Sequence, residues 1–397
     1  MTNGRSRQKD SHLTVTFQPF GSLLERNQMK GCRRTASRSL SYHAPPSQMT
    51  LRRKRVHLSV LACFLALGAA VSGTTSVTAD QPDGVYIAIG HGLHRMASDD
   101  GIHWTAHQFE GDPGHNQNDL AQAIVAEDVC VAIGGYFRSN ILTTKDGVEW
   151  TKSEFNAGVL SGIAHLDDRF LAFGQGAKVI ESPDGYEWSV IGDGKVRDYL
   201  KQEADKLGLD KPIKSNIRAW RYANGRFVGC GDNGFLVTTT NLKDWTFPPR
   251  IEPQSRLFIE SDGENFVVYG HHTVHHSTDG VNWTDVTPEP VAGSTEKSDR
   301  LTSLTHDGKR FLINNRQGKA WLSPDGRRWL LIEGRSFPAN IEAIRPNLIY
   351  SFQTYWKATK DLQYTTDGGQ TWQSADIPAP VGITDMVYAP GFPPIDE

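Results

Sequence analysis

Seven copies of one turn pattern, S/T-x-D-G-x-x-W, run along this chain and constrain its fold more than any other feature. Six occupy Ser98–Trp104, Thr144–Trp150, Ser182–Trp188, Ser277–Trp283, Ser323–Trp329 and Thr365–Trp372, the last one residue longer. A degenerate copy, TTNLKDW, spans Thr239–Trp245. Successive tryptophans lie 46, 38, 57, 38, 46 and 43 residues apart. Self-similarity at such a period marks stacked supersecondary units, each unable to bury its apolar faces alone.

The same local order precedes every copy. An apolar run leads to glycine in VYIAIG (85–90), VCVAIG (129–134), RFLAFG (169–174), RFVGCG (226–231) and NFVVYG (265–270), whereas RFLINN (310–315) and LIYSFQ (348–353) lack that glycine. A second apolar strand, the turn and a short strand after the tryptophan follow. Another strand comes ahead of each run from the second repeat onward, opened by Leu120, Leu160, Ile217, Leu257, Leu301 and Ile341. Four strands per repeat of this length predict a β-propeller blade. The first repeat lacks a leading strand, and the C-terminal stretch Ile383–Tyr388 (ITDMVY) is a strand without a repeat. The expected fold is therefore all-β, a seven-bladed propeller of four-stranded antiparallel blades, closed by the C-terminal strand joining the first blade.

The turn pattern resembles the Asp-box (BNR) repeat of sialidases, sortilin-type receptors, xyloglucanases and photosystem II assembly-factor propellers. TTDGGQTW fits the S-x-D-x-G-x-T-W form of that repeat; the other six copies are one residue shorter, and the fourth has neither Asp nor Gly. The resemblance covers nearly all of residues 84–390 and implies a blade type, not an activity. In physical terms Asp100, Asp146, Asp184, Asp279, Asp325 and Asp367 are expected to accept backbone N–H groups across their turns. Glycine supplies the positive φ, and the tryptophan ring makes an apolar plate between sheets. A calcium loop would need a D-x-D-x-D-G run with a distal Glu, which the chain lacks. The sequon Asn282-Trp283-Thr284 falls inside a turn and reads as incidental.

Charge is divided unevenly. Residues 1–79 carry 12 Lys+Arg and two acids, and residues 80–397 carry 30 basic and 43 acidic side chains, so a formal charge of −3 hides +10 and −13. A body of −13 argues against nucleic acid or an anionic membrane as partner. RRKR at Arg52–Arg55, the apolar run Leu58–Val71 and the small residues ending at Ala79 predict a secretory signal peptide over 49–79, cleaved before Asp80. The apolar run is short for a membrane span, so an uncleaved anchor is the weaker reading, and no membrane insertion is expected after cleavage. Met49 is the expected start. Residues 1–48, without periodicity, read as a non-native or disordered extension, and 80–397 as the propeller, secreted or periplasmic. Cys130 and Cys230 fall in non-adjacent repeats and are expected to be buried free thiols.

Ligand sites in such rings lie over the channel where loops from several blades converge. Beside the leading aliphatics stand Asp119 and, from three consecutive blades, Arg218, Arg256 and Arg300, with Glu342 elsewhere on the rim. Three guanidiniums facing one volume suit a carboxylate or sulfate. The set is similar to the arginine cluster of sialidases, but no Phe-Arg-Ile-Pro element is present and seven blades replace six. Solvated arginines paired with local acids are the plainer reading. His91, His94 and His115 come from neighbouring loops and could meet; His271, His272, His275 and His276 lie in blade five, and no metal or cofactor is expected. The long gap after Trp188 holds a helical pattern with Val196, Leu200, Ala204 and Leu207 on one face, either a lid or a decorative insertion. The expected function is a non-catalytic, monomeric binding module for a glycan or an extracytoplasmic protein. The alternative is a glycoside hydrolase or polysaccharide lyase acting on an acidic sugar, with Glu342 as a weak candidate acid.

Overall fold

The computed structural model describes residues 84–110, 119–206, 208, 216–252, 255–289, 291–293, 295–352, 361–380 and 382–395. The expected leader and upstream extension lie outside them. Seven antiparallel sheets follow one another around a ring. Their innermost strands are Ile383–Pro390, Leu120–Ala126, Leu160–His165, Ile217–Ala223, Phe258–Ser261, Leu301–His306 and Ile341–Arg345, and each touches the next in a closed cycle. Closure is as expected: Ile383–Pro390 pairs with Gly84–Gly90, with Val387 opposite Ile87.

Six blades have four strands; blade four has three. Its outer position is reduced to a single bridge between Thr238 and Thr246. Pro248 and Pro249 follow directly and have no N–H to donate, which ends the pairing.

Burial between sheets holds the ring together. There are seven apolar clusters, one per blade interface, and each contains one turn tryptophan: Trp104, Trp150, Trp188, Trp245, Trp283, Trp329 and Trp372 in chain order. Apart from the turns, Trp220 fills the interface between blades three and four, 2% exposed and stacked 4.8 Å from Phe173. Two glycines make room for it. A Cβ on Gly162 would sit 2.5 Å from the Trp220 Cβ, and one on Gly229 would sit 2.8 Å from its ring.

The turns are built as their residue types require. Asp146 accepts the N–H groups of Val148 and Glu149, both at 2.8 Å, while the Thr144 hydroxyl accepts that of Gly147 at 2.9 Å. The same pattern recurs at Asp100, Asp184, Asp279, Asp325 and, with its longer loop, Asp367. Partial burial opposes ionisation of Asp100, but the backbone and side-chain donors around it outweigh burial and hold its carboxyl down to about 2. The degenerate copy keeps the geometry with other residues. Asn241 accepts from Lys243 and Asp244, and Leu242 takes the glycine's place at φ 61°, a left-handed conformation that costs an L-residue about 1–2 kcal/mol. Asn282 donates its amide to Asp279 at 2.7 Å, so the sequon side chain is used within its own turn.

Cys130 and Cys230 are free and fully buried in blades two and four. The predicted helix spans Val196–Lys206 and buries Val196, Leu200 and Ala204; Leu207 lies outside the described residues. Its apolar face completes the cluster between blades three and four, with Tyr199 stacked on Phe247 at 3.9 Å.

Two outcomes follow from this packing. Gly162→Val forces Trp220 out of its slot and lowers stability by about 2–3 kcal/mol in urea unfolding. Asp146→Ala removes one acceptor of two N–H groups at a partly exposed turn, costing about 1 kcal/mol. Because the turn carboxylates are depressed on folding, their stabilisation is present above the ordinary Asp range and is lost as pH falls from about 4 toward 2. Thermal melts across that interval should fall for the wild type and fall less for the variant.

Candidate functional site

The channel mouth is shaped by β-bulges. In blades one, two, three, four and six the innermost strand slips register by one residue at its start, freeing Thr384, Ala121, Ser161, Arg218 and Thr302 from the ladder. A bulge re-aims side chains, so two consecutive residues per blade turn toward the axis. In blades five and seven pairing is regular there, with Phe258 opposite Tyr269 and Glu342 opposite Tyr350.

Below the mouth, side chains of the innermost strands stitch four of the seven blade junctions. Asp385 accepts the N–H of Ala123 at 2.8 Å, Gln122 that of Ile163 at 3.1 Å, and Thr305 that of Ala343 at 3.0 Å. Arg221 donates to both oxygens of Glu260, at 2.7 and 2.9 Å. The Thr305 hydroxyl donates to Glu342 at 3.2 Å. These groups surround a throat of about 280 Å³. Three carboxylates (Glu260, Glu342, Asp385) line it with two guanidiniums, the half-buried Arg221, which Glu260 holds, and Arg218 at its edge, which Asp232 holds. Burial, reinforced by the Asp385 and Glu260 charges, pushes the Glu342 carboxyl well above the usual carboxylate range. Burial also pushes Asp385 up, to about 6, against the N–H of Ala123 and the Arg221 charge.

The throat opens into a wider mouth of about 650 Å³, and Phe258, Tyr269, Thr302 and Asn340 line both. The mouth is basic. Arg256, Arg300 and Arg316 line it with Asp232 and His271, and Arg218 stands at the throat edge. Arg218 forms a two-pronged contact with Asp232, at 3.1 and 2.9 Å, and Arg256 donates to the same carboxylate at 3.1 Å. Burial acts to raise the Asp232 carboxyl, but these guanidiniums and Asn216 outweigh it and keep it low. Arg300 bonds His271 rather than an acid, and burial followed by the Arg300 charge lowers the His271 pKa. Arg316 is exposed and makes no side-chain hydrogen bond or ion pair among the described residues.

The structure thus brings Arg218, Arg256 and Arg300 to one end of the channel. Glu342 differs from its expected place: it lines the throat beneath the arginines and leans on blade six through Thr305, because the strand pairs regularly at its start and slips register only after Ala343. His91 and Asp119 pair with each other at 2.7 Å, and neither lines the throat or the mouth. His94 is buried and bonds His107 at 2.8 Å; His115 lies outside the described residues. His276 is buried and bonds Asn265. Among the described residues no group of His, Cys, Asp or Glu is arranged to hold a metal. The helix lines neither cavity.

Five cavity-lining positions were not singled out from sequence: Asp232 and Arg316, in the loops after the second strands of blades four and six, and Arg221, Glu260 and Asp385 in the throat.

Neither a protein-family model nor a curated protein matches the chain. Among solved structures it is similar to YCF48 from Cyanidioschyzon merolae (13% identity, TM-score 0.48, covering 73% of this chain and 91% of that one). It is also similar to a YCF48 bound to D1 peptide (18%, 0.44, 65% and 83%). A third is the GH74 enzyme of Niastella koreensis (12%, 0.43, 76% and 65%).

The throat sets a pH signature. A carboxyl whose pKa rises on folding supports the fold only while protonated; that support is complete below its ordinary pKa and is lost as pH climbs through the elevated value. Glu342→Gln keeps the acceptor for Thr305 and cannot ionise. Wild type and variant should melt alike at about pH 4, and the variant should melt higher at about pH 8, by differential scanning calorimetry.

Proposed function

We propose that this chain is an exported binding module of the Asp-box type whose ligand carries carboxylate or sulfate groups and seats on the arginine mouth. The observation that carries this reading is the convergence of Arg256, Arg300 and Arg316 on the mouth and of Arg218 on its edge with the throat, from three consecutive blades, with Asp232 the one carboxylate lining the mouth among the described residues. Four guanidiniums against one acid leave an excess of fork-shaped donors suited to planar anions. Phe258, 41% exposed at the same edge and stacked 5.2 Å from Tyr269, adds an apolar surface for the body of such a ligand. The partner class is a glycan or an extracytoplasmic protein. Export rests on the basic, apolar and small-residue run of 49–79.

One feature favours the enzymatic alternative: the Glu342 and Asp385 carboxyls share the throat and burial pushes both up, as in a site that pairs a general acid with a base. Against it, both carboxyl groups sit in a throat of about 280 Å³, at the small end of the roughly 300–1,000 Å³ usual for small-molecule sites. Both are also engaged in holding blade to blade.

A thermal-shift screen of the full chain against uronic, sialic and sulfated oligosaccharides and acidic peptides tests the reading. A ligand at 100 times its Kd adds about 2.7 kcal/mol of stability. Arg256→Ala and Arg316→Ala should each weaken a hit by about tenfold or more. A hit indifferent to both substitutions sinks the mouth as the binding site. Turnover of a bound oligosaccharide, abolished by Glu342→Gln, would establish the hydrolase or lyase instead.

A further inference from the structure

The basic mouth and the acidic throat form one continuous space of opposite polarity, since Phe258, Tyr269, Thr302 and Asn340 line both parts. An anion satisfied at the mouth does nothing for the throat. There Glu260 is neutralised by Arg221 through two hydrogen bonds. Among the described residues Glu342 receives only the Thr305 hydroxyl, and Asp385 only the backbone N–H groups of Ala123 and Met386. A third polar atom faces the same space: the Ser161 hydroxyl oxygen is buried without a hydrogen-bond partner and its residue lines the throat.

We propose that the occupant is an acidic protein segment that lays its carboxylates on the arginine mouth and inserts one lysine side chain into the throat. This rests on the reading of the mouth as an anion site and names its partner. An ammonium has three N–H donors and no acceptor, and the throat supplies three acceptors in Glu342, Asp385 and Ser161, none of them hydrogen-bonded or ion-paired to a cation among the described residues. The neck between mouth and throat is aromatic, formed by Phe258 over Tyr269. A lysine buries its methylene stem along such a surface while its charge travels on to a polar site. The throat volume of about 280 Å³ takes one long side chain and excludes a saccharide chain. Neighbouring acidic residues of the same segment would meet Arg256, Arg300 and Arg316 as the lysine enters.

The test compares two end-blocked pentapeptides, Asp-Asp-Lys-Asp-Asp and its norleucine analogue, on the full chain by isothermal titration calorimetry. The lysine peptide should bind at least tenfold more tightly. The double variant Glu342→Gln/Ser161→Ala should reduce that preference to less than threefold and leave the norleucine peptide unaffected; Glu342→Gln alone, isosteric and still accepting from Thr305, should lower it partway. Equal binding of the two peptides to wild type overturns the proposal, as does a preference that survives the double variant. If the peptides bind equally and both are weakened by Arg256→Ala, the anion-binding mouth stands and only the inserted lysine falls. If neither peptide binds while a sulfated oligosaccharide does, the protein occupant is wrong and the mouth again stands. Silence from all of them overturns both readings.

Discussion

The pairing of Ile383–Pro390 with Gly84–Gly90 is the contact on which the rest of the ring depends. A blade is apolar on both faces, and each of the seven clusters draws on two neighbouring sheets. Opening the ring at any interface therefore exposes two faces at once. The clasp is reinforced by side chains crossing to the adjoining blades. The Thr384 hydroxyl donates to the Leu120 carbonyl at 2.6 Å and Asp385 accepts from Ala123 in blade two. On the other side, the Tyr350 hydroxyl of blade seven donates to the Gly101 carbonyl at 2.7 Å.

The strand that closes the ring also carries Asp385 into the throat, so closure and the polarity of the axis share a residue. Buried carboxylates are tolerated only when their oxygens find donors, and here the donors are backbone N–H groups of the neighbouring blade, an arginine, or a hydroxyl. Gln122, Ser303 and Thr305 do the same with neutral groups, Ser303 accepting the N–H of Ile341 at 2.9 Å. A throat satisfied entirely by neutral acceptors would hold the blades equally well. Ionising Glu342 and Asp385, whose carboxyls burial pushes up, therefore works against the fold as pH climbs.

Fold and site were legible to different depths. The turn pattern, the strand order and the orphan strand at Ile383–Tyr388 specify seven blades and their closure because each is a local signal repeated many times. The arginine mouth was partly legible: Arg218, Arg256 and Arg300 stand beside the leading aliphatics, and strand direction alone brings that position to the rim. Phase below the rim was not legible. Five bulges shift it by one residue, and a shift of one exchanges the axis-facing and core-facing sets. Blade seven, regular at the start of its strand, turns Glu342 into the throat, whereas blade four, bulged there, presents Arg218 at the throat edge and then Arg221 below. Arg316 was missed for another reason: it sits after the second strand, in NNRQG, where no aliphatic marker fixes its direction. The fourth turn shows the reverse case, in which a lost pattern hides a kept geometry. An asparagine oxygen accepts the same N–H groups as a carboxylate, and interface packing holds Leu242 at positive φ.

For the proposed acidic ligand, electrostatics would give the mouth its selectivity. Residues 80–397 carry a formal charge of −13, so an acidic ligand meets net repulsion over most of the surface and attraction where the four arginines converge. A concave site with low-dielectric walls concentrates that local field, and specificity comes as much from the repulsive surround as from the attractive centre. The same surround would draw a polycation to many places at once. A ligand of mixed charge escapes both problems: its acidic part is steered to the one basic surface, and its cationic part is accepted only after the mouth is engaged, because the carboxylates that want it lie at the bottom of the throat.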